Sequence, residues 1–271
     1  MSGLTKKLSA QITTRKRIVF PEGDNDVIKT AADGSKDIIE PILLSGDDAL
    51  AKACRMVADG QADGMVAGID YTSRDVILTA REYIGMTEKV FSASFVMELP
   101  DERIYTLADC AACKNPTAEQ LAEIVLQTVE THRGISDDEP RVALLSWSTL
   151  GSGGDGDPVI EKMREVKNLV LARQPELAID GEMQLDAAVN FDIGHKKAPE
   201  SKVAGQANVL ILPDLNSGNI LYKSLEQFGG AHAYGPLLQG FSVPVSDLSR
   251  GSTVEDVLGV IAITAARLSK S

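Results

Sequence analysis

Val142-Ala143-Leu144-Leu145-Ser146-Trp147-Ser148-Thr149-Leu150-Gly151-Ser152-Gly153-Gly154 is an apolar run that passes directly into a loop of hydroxyls and glycines. Four apolar residues without alternation fit a strand covered on both faces, as in a parallel sheet flanked by helices. Pro158 opens the helical pattern that follows. A loop between a parallel strand and a helix lies where open α/β sheets bind ligands, and its amides suit phosphate. Ser148 and Thr149 are thus candidate substrate-binding residues. A flexible glycine loop is the competing reading, because neither P-loop spacing nor G-x-G-x-x-G is present.

The construction recurs at Asn208-Val209-Leu210-Ile211-Leu212, which ends in Pro213-Asp214-Leu215-Asn216-Ser217-Gly218-Asn219 before a helix through Tyr222 and Leu225. Two such edges imply one shared crevice, with Asn216, Gly218 and Asn219 expected to touch ligand; capping of the helix is the alternative role for Asn216. Elsewhere, short β-branched runs alternate with helical patterns, the signature of βα units around a parallel sheet. Strands are expected at 17–20, 41–44, 64–68, 90–97 and 104–107, and helices from the Pro21-Glu22-Gly23-Asp24 turn through Val27 and Ile28, at 49–57 and at 75–84. A domain crossing falls near 85–89. Thr117-Ala118-Glu119-Gln120 reads as a capping box for a helix running almost to Glu130. The final helix puts Val254, Val257, Leu258, Ile261, Ala265 and Leu268 on one apolar face and is capped by Ser252 or Thr253.

Composition bounds the function. The chain has 271 residues, 44% hydrophobic and 4% aromatic, and no apolar run approaching the roughly 20 residues of a membrane span. That predicts a soluble α/β protein, and the length favours two domains. Residues 1–17 lack the apolar segment of a signal peptide, so a cytoplasmic location is expected. A net charge of −12 opposes nucleic acid and anionic membrane as partners. An anionic ligand must then be captured by local arginines and helix N-termini. Cys54, Cys110 and Cys113 are an odd, sparse set and read as reduced thiols. The Cys110–Cys113 pair has no second pair, and His132, His195 and His232 are scattered, so no metal is expected.

The run Asp247-Leu248-Ser249-Arg250-Gly251, with Asp256 beyond it, gathers a hydroxyl, a guanidinium and a carboxylate at one helix entrance. Arginine is suited to bidentate recognition of phosphate. Asp256 has two readings. With Thr253 as N-cap it falls at N3, where a capping carboxylate has a depressed pKa and is a poor base. A general base there would need desolvation to raise its pKa.

Many motifs in one order carry a family resemblance. They are Phe20-Pro21-Glu22-Gly23, Ala62-Asp63-Gly64-Met65-Val66, Ala108-Asp109-Cys110-Ala111 with Asn115-Pro116-Thr117, Arg141 to Ser146 with Ser148-Thr149, Asp180-Gly181-Glu182-Met183-Gln184-Leu185-Asp186-Ala187-Ala188, Lys196-Lys197-Ala198-Pro199, Val203 to Asn208, Pro213-Asp214-Leu215-Asn216 with Gly218-Asn219-Ile220, Gly235-Pro236 with Gln239-Gly240, and Asp247 to Gly251. The chain resembles the phosphotransacetylases, the phosphate acetyltransferase family. The resemblance implies two α/β domains with a cleft between them, similar to the isocitrate and isopropylmalate dehydrogenase fold. Residues 1–87 with 235–271 would form a shortened first domain completed by the last helix, and residues 88–234 a second domain joining a homodimer. It also implies that coenzyme A, as co-substrate, attacks the carbonyl of an acyl phosphate, acetyl phosphate first among them, to give acyl-CoA and phosphate. Asp256 would take the thiol proton, Arg250 hold the phosphoryl group, and Ser249 orient the thiol or stabilise the oxyanion. Gln239 would be a further substrate contact, and no metal is demanded.

The departures are equally specific. Family members carry a long helical segment with an arginine between the second and third strands, where only residues 47–61 stand here. A second family arginine aligns with Leu78. Arg74 and Arg81 lie on the same predicted helix and are candidate substitutes, Arg74 being the nearer to its start. A non-catalytic relative that senses acyl phosphate or acyl-CoA, and a phosphate butyryltransferase-like enzyme, are the alternatives. A hydroxy-acid dehydrogenase is the weakest, since no metal-binding aspartate cluster or dinucleotide fingerprint is present. Glu22 and Asp109 occupy family motif positions, with turn or cap roles as the bland alternative.

Overall fold

The computed structural model describes residues 1–269. The chain forms two compact α/β units, Met1–Phe91 with His232–Ser271, and Ser92–Ala231. The first opens with α1 (Gly3–Gln11), β1 (Lys16–Phe20), α2 (Asp26–Gly34), β2 (Ile39–Leu43), α3 (Ala49–Ala58), β3 (Gly64–Ala67) and α4 (Ser73–Tyr83). The second carries β4 (Ser92–Glu98), β5 (Ile104–Ala108), α5 (Ala118–Ile135), β6 (Arg141–Leu145), α6 (Pro158–Arg173), β7 (Ala178–Met183), α7 (Leu185–Val189), α8 (Phe191–Lys197), β8 (Val209–Ile211) and α9 (Leu215–Gln227). The first unit is completed by β9 (His232–Gln239), β10 (Val245–Asp247) and α10 (Val254–Ser269).

In the first unit the strand order is β2-β1-β3-β10-β9, with the first four parallel and β9 antiparallel to β10. Val19 pairs with both Ile42 and Met65, and Asp247 pairs with Ala67. Parallel registers of this kind bring the carboxyl ends of β1, β3 and β10 side by side, so the loops after Phe20, Ala67 and Asp247 leave the sheet together. The second unit repeats the plan in the order β4-β5-β8-β6-β7, with β4 antiparallel and the rest parallel. The loops after β5, β6 and β8 therefore share one edge of that sheet.

Burial explains why these segments become strands. Ile18, Val19 and Phe20, then Val142, Ala143 and Leu144, are fully buried. Unbroken apolar runs are what a sheet covered on both faces demands, each large side chain contributing about 1.5–3 kcal/mol. Three strands escaped the sequence pattern. β7 carries Asp180, Gly181 and Glu182, whose charges are matched by Lys167 and Arg164. β9 contains Gly235 and Pro236, residues that ordinarily argue against a strand. β10 is three residues long. The short helices α1, α7 and α8 were missed as well; α1 is capped by Ser2, which accepts from Thr5 N at 3.1 Å.

α10 corrects one expectation. Val257, Ile261 and Ala265 are buried as anticipated, whereas Val254, Leu258 and Leu268 are only half-buried. Gly259, Val260, Ala262, Ile263, Thr264 and Ala266 are buried too, so the helix is enclosed on nearly all sides rather than along a stripe. It packs on α1, α2 and β3, which leaves little of its circumference to solvent. Gly259 permits this approach, because a Cβ there would overlap the ring of Tyr234. That ring is fully buried and pinned by its hydroxyl donating to Ser2 Oγ at 2.8 Å.

Gly259→Ala would gain about 0.8–1 kcal/mol of helix propensity. Driving a methyl into a pinned ring costs about 1–3 kcal/mol, so the clash should win. We expect the variant to melt below the wild type, and a neutral or raised Tm would show that the Tyr234 ring yields.

Candidate active site

In the first unit, three loops meet at the carboxyl ends of β1, β3 and β10. Glu22, buried, follows β1 and its carboxylate accepts from the amides of Gly68 (2.9 Å), Asp70 (2.7 Å) and Tyr71 (2.9 Å) on the loop after β3. Glu22 is also a turn residue, its carbonyl accepting from Asn25 N at 3.0 Å, and its side chain ties two loops together. Asp247 ends β10 as a fully buried carboxyl. Burial pushes its pKa up to about 6; the Ser73 hydroxyl opposes this and the Glu22 carboxylate adds to it. Ser249 and Arg250 follow, both exposed.

Asp256 lies in the first turn of α10. Its Oδ2 accepts from Thr253 N at 2.8 Å and Thr253 Oγ1 at 2.7 Å, while Asp256 N donates to Thr253 Oγ1 at 3.2 Å. Thr253, not Ser252, is thus the cap, and the capping contacts use one carboxylate oxygen. On α4, Arg74 and Arg81 are exposed, as is Leu78 at 50%. Gln239, at the end of β9, is buried.

The second unit brings together the loops after β5, β6 and β8. Asp109, buried, accepts from Ala93 N at 3.0 Å and from Ala111 N and Ala112 N, each at 2.8 Å. Burial raises its pKa, and these amides partly oppose the rise. Cys110 and Cys113 sit on the same loop; burial, then the Asp109 charge, pushes both thiols up, so neither is poised as a thiolate. Glu182, 1% exposed, accepts from Gly151 N at 2.6 Å and Arg164 Nε at 3.0 Å.

Ser148 and Thr149 are buried and spend their side chains on the loop and on Glu182 and Gln184 at the end of β7. Ser148 Oγ accepts from Gly153 N at 2.8 Å and donates to Glu182 at 3.3 Å. Thr149 Oγ1 donates to Gln184 Oε1 at 3.2 Å and accepts from Gln184 N at 3.1 Å. Asn216 is exposed in the first turn of α9, with Asn219 half-buried beside it. The cap of that helix is Asp214, whose Oδ1 accepts from Ser217 N at 2.9 Å, so the capping role weighed for Asn216 is filled by its neighbour. Gly218 is buried so close to the 109–111 backbone that a Cβ would overlap the Asp109 carbonyl oxygen.

Within each unit, then, the predicted residues converge: Ser249, Arg250, Asp256 and Arg74 on one sheet edge, Ser148, Thr149, Asn216, Gly218 and Asn219 on the other. Residues that sequence reasoning passed over are Lys162 and Arg164 on α6. Their spacing on a helix carries no motif, and only Glu182 in the quoted Asp180 to Met183 run hinted at a partner. Among the described residues, no group of three or more His, Cys, Asp or Glu could hold a metal ion, and no helix is long and apolar enough to cross a membrane.

The whole architecture has solved counterparts. A phosphotransacetylase of Streptococcus pyogenes superposes with a TM-score of 0.91 at 34% identity, covering 100% of each chain. A 4-hydroxythreonine-4-phosphate dehydrogenase of Burkholderia phymatum shares the fold alone, with a TM-score of 0.52 at 12% identity over 98% of this chain and 93% of that one. The fold is a dehydrogenase-like α/β scaffold, and the sequence comparisons make the chain a transferase built on it. A phosphate acetyltransferase of Clostridium acetobutylicum is 44% identical over 224 residues, 80% of this chain and 67% of that one. Residues 45–265 match the model of the phosphate acetyl/butaryl transferases, and the chain belongs to that family. It spans about two thirds of the length of the relatives from Clostridium acetobutylicum and Treponema pallidum.

The raised pKa of Asp247 has a definite sign. Because the folded value lies above the unfolded one, its stabilising contribution is complete below about pH 4 and is lost as pH rises through about 6. Two pKa units correspond to about 3 kcal/mol as an upper scale. Urea midpoints at pH 4.5 and 7 should show the wild type losing more stability than Asp247→Asn as pH rises. Parallel behaviour of the two proteins would mean that Asp247 does not titrate in that window.

Proposed function

We propose that the chain is a phosphate acetyltransferase that converts acetyl phosphate and coenzyme A to acetyl-CoA and phosphate. The observation that carries this reading is the intact Ser249-Arg250 pair, exposed beside the α10 entrance in a chain of the phosphate acetyl/butaryl transferase family. Arg250 would hold the phosphoryl group in a bidentate grip, and the neighbouring helix terminus favours the same negative charge. The coenzyme A thiol, with a pKa near 8.5, must lose its proton to become a strong nucleophile. Asp256 is the proposed acceptor. Its Oδ2 is engaged by Thr253, so Oδ1 is the atom assigned to the proton. As the thiolate sulfur bonds to the acyl carbon, the carbon–oxygen bond to phosphate breaks and phosphate leaves. Ser249 would orient the thiol or donate to the carbonyl oxygen as charge develops on it. In this mechanism no step calls on a metal.

On the other sheet edge, Asn216, Gly218 and Asn219 are assigned to substrate, and in the first unit Gln239 is assigned with them; the hydroxyls of Ser148 and Thr149 are already used, as are the amides of residues 149–154. Arg74 is assigned the phosphate contact that the family's missing arginines would have made. Leu78, exposed where one of those arginines aligns, is the observation that favours the second reading, a relative that binds acyl phosphate or acyl-CoA without turnover. A cytoplasmic location and acceptance of longer acyl phosphates belong to the same proposal. So does a homodimer joined through the second unit, which leaves Phe191, Ile220 and Phe228 more than half exposed.

Thioester formation from coenzyme A with acetyl, propionyl and butyryl phosphate, followed by absorbance, tests the activity. Turnover names the substrate by rank; binding without turnover establishes the sensor. Arg250→Ala should lower kcat/KM about 10- to 100-fold, the equivalent of one charge-assisted hydrogen bond. Arg74→Ala should raise the KM for acetyl phosphate about tenfold, and an unchanged KM removes Arg74 from the site. Light scattering should return twice the mass of one chain, and a monomer mass would refute the dimer.

A further inference from the structure

Lys162, on the inner side of α6, makes contacts that the acyltransferase chemistry does not use. It is half-buried, and its Nζ donates to Pro213 O at 2.8 Å and to Pro116 O at 3.3 Å. Those two carbonyls lie 97 residues apart in sequence (213 − 116) on different loops. Pro116 immediately precedes Thr117, the cap of α5, and Pro213 immediately precedes Asp214, the cap of α9. One ammonium therefore fixes the entrance of two helices from the backbone side, where no change of side chain on the loops can replace it. The same two loops touch twice more: Leu215 N donates to Lys114 O at 3.1 Å, and Gly218 packs on the Asp109 carbonyl.

A fully hydrated lysine would be more comfortable elsewhere. Burial lowers the pKa of Lys162, and the charge of Asp214 only partly compensates. Accepting that cost is reasonable where an ammonium offers three donors to main-chain acceptors that a loop cannot otherwise satisfy. The first turn of α9, with Asn216, Gly218 and Asn219, begins two residues after the clamped Pro213 carbonyl. A displacement of about 1 Å in a substrate-positioning element costs up to 100-fold in rate.

We propose that Lys162 is a positioning residue for the acyl transfer reaction: by bridging the Pro116 and Pro213 carbonyls it holds the first turn of α9 in register for substrate. It acts through the loops and touches no reacting atom. This inference rests on the acyltransferase reading of the site.

The full-length protein is assayed with acetyl phosphate and coenzyme A as wild type, Lys162→Met and Lys162→Arg. Methionine keeps the length of the stem and removes the donors; arginine restores donors for two carbonyls. Lys162→Met should raise the KM for acetyl phosphate or coenzyme A about tenfold, the equivalent of about 1.4 kcal/mol, with kcat changed less than about threefold, and Lys162→Arg should recover most of the loss. A KM within about twofold of wild type for both substrates overturns the proposal, whatever happens to Tm. If Lys162→Met does not fold, Lys162→Leu, which likewise has no donor, takes its place under the same thresholds. Absence of turnover by the wild type overturns the acyltransferase reading instead. Amide exchange of residues 213–219 then decides for Lys162, with faster exchange in the variant expected and unchanged exchange overturning the clamp.

Discussion

A carboxylate buried near the end of a strand has to find donors or hold its proton; Glu22, Asp109 and Glu182 find loop amides, whereas Asp247 has its pKa pushed up to about 6. Glu22 takes three from the loop after β3, and Asp109 takes three from β4 and its own loop. Glu182 takes one from Gly151 and an arginine from α6. Leaving such a group unpaired in the interior costs several kcal/mol. Hydrogen bonds to a charged acceptor return about 1.5–3 kcal/mol each, so three offset much of the cost, though only part of it at Asp109, and tie down the loop that supplies them. The loops at the sheet edges are consequently rigid by construction, although they carry the glycines and small residues of mobile segments. Preorganised edges of this kind are what a reaction dependent on alignment of two substrates requires.

The charge distribution follows the same logic. The chain carries a net −12, which repels acyl phosphate and coenzyme A at long range. Attraction must be local, and the described cations at the first unit's edge are Arg250 beside α10 and Arg74 at the start of α4, both exposed and able to meet ligand. In the second unit three cations of α6 are engaged by acids and carbonyls, Arg164 on Glu182, Lys167 on Asp180 and Lys162 on the two proline carbonyls, while Lys114 on the loop after β5 is exposed.

Much of the fold was legible because unbroken apolar strands and capped helices leave clear patterns. The stretch 142–145, the capping box at Thr117 and the strand-loop-helix at 208–219 all fall where the sequence puts them, within a residue or two at their ends. β7 and β9 were not legible. In β7 the acids read as loop until their partners on α6 are known, and in β9 a glycine and a proline mask a strand held by its neighbour. α10 looked amphipathic because periodicity reports the most apolar face and is silent on how many partners surround a helix. The dehydrogenase-like scaffold and the family came from motif order, a property of the whole chain, whereas individual roles depend on side-chain partners that no motif records.

Ser148 and Thr149 make the last point concrete. A hydroxyl in a glycine-rich loop before a helix reads equally as a ligand donor or as part of the loop. Each hydroxyl here has one donor and two acceptor sites, and both residues, while buried, use donor and acceptor on the protein itself, Ser148 on Glu182 and Gly153 and Thr149 on Gln184. Redirecting either one to a ligand would strip Gly153 or Gln184 of its acceptor, and since both are half-buried the cost is part of the roughly 1–3 kcal/mol that a buried unpaired amide carries. A ligand contact must repay that before it contributes anything. Asn216, Ser249 and Arg250 are exposed and carry no such debt. For the proposed reaction, substrate recognition therefore falls on the exposed polar residues, and the buried hydroxyls hold the loop that surrounds them.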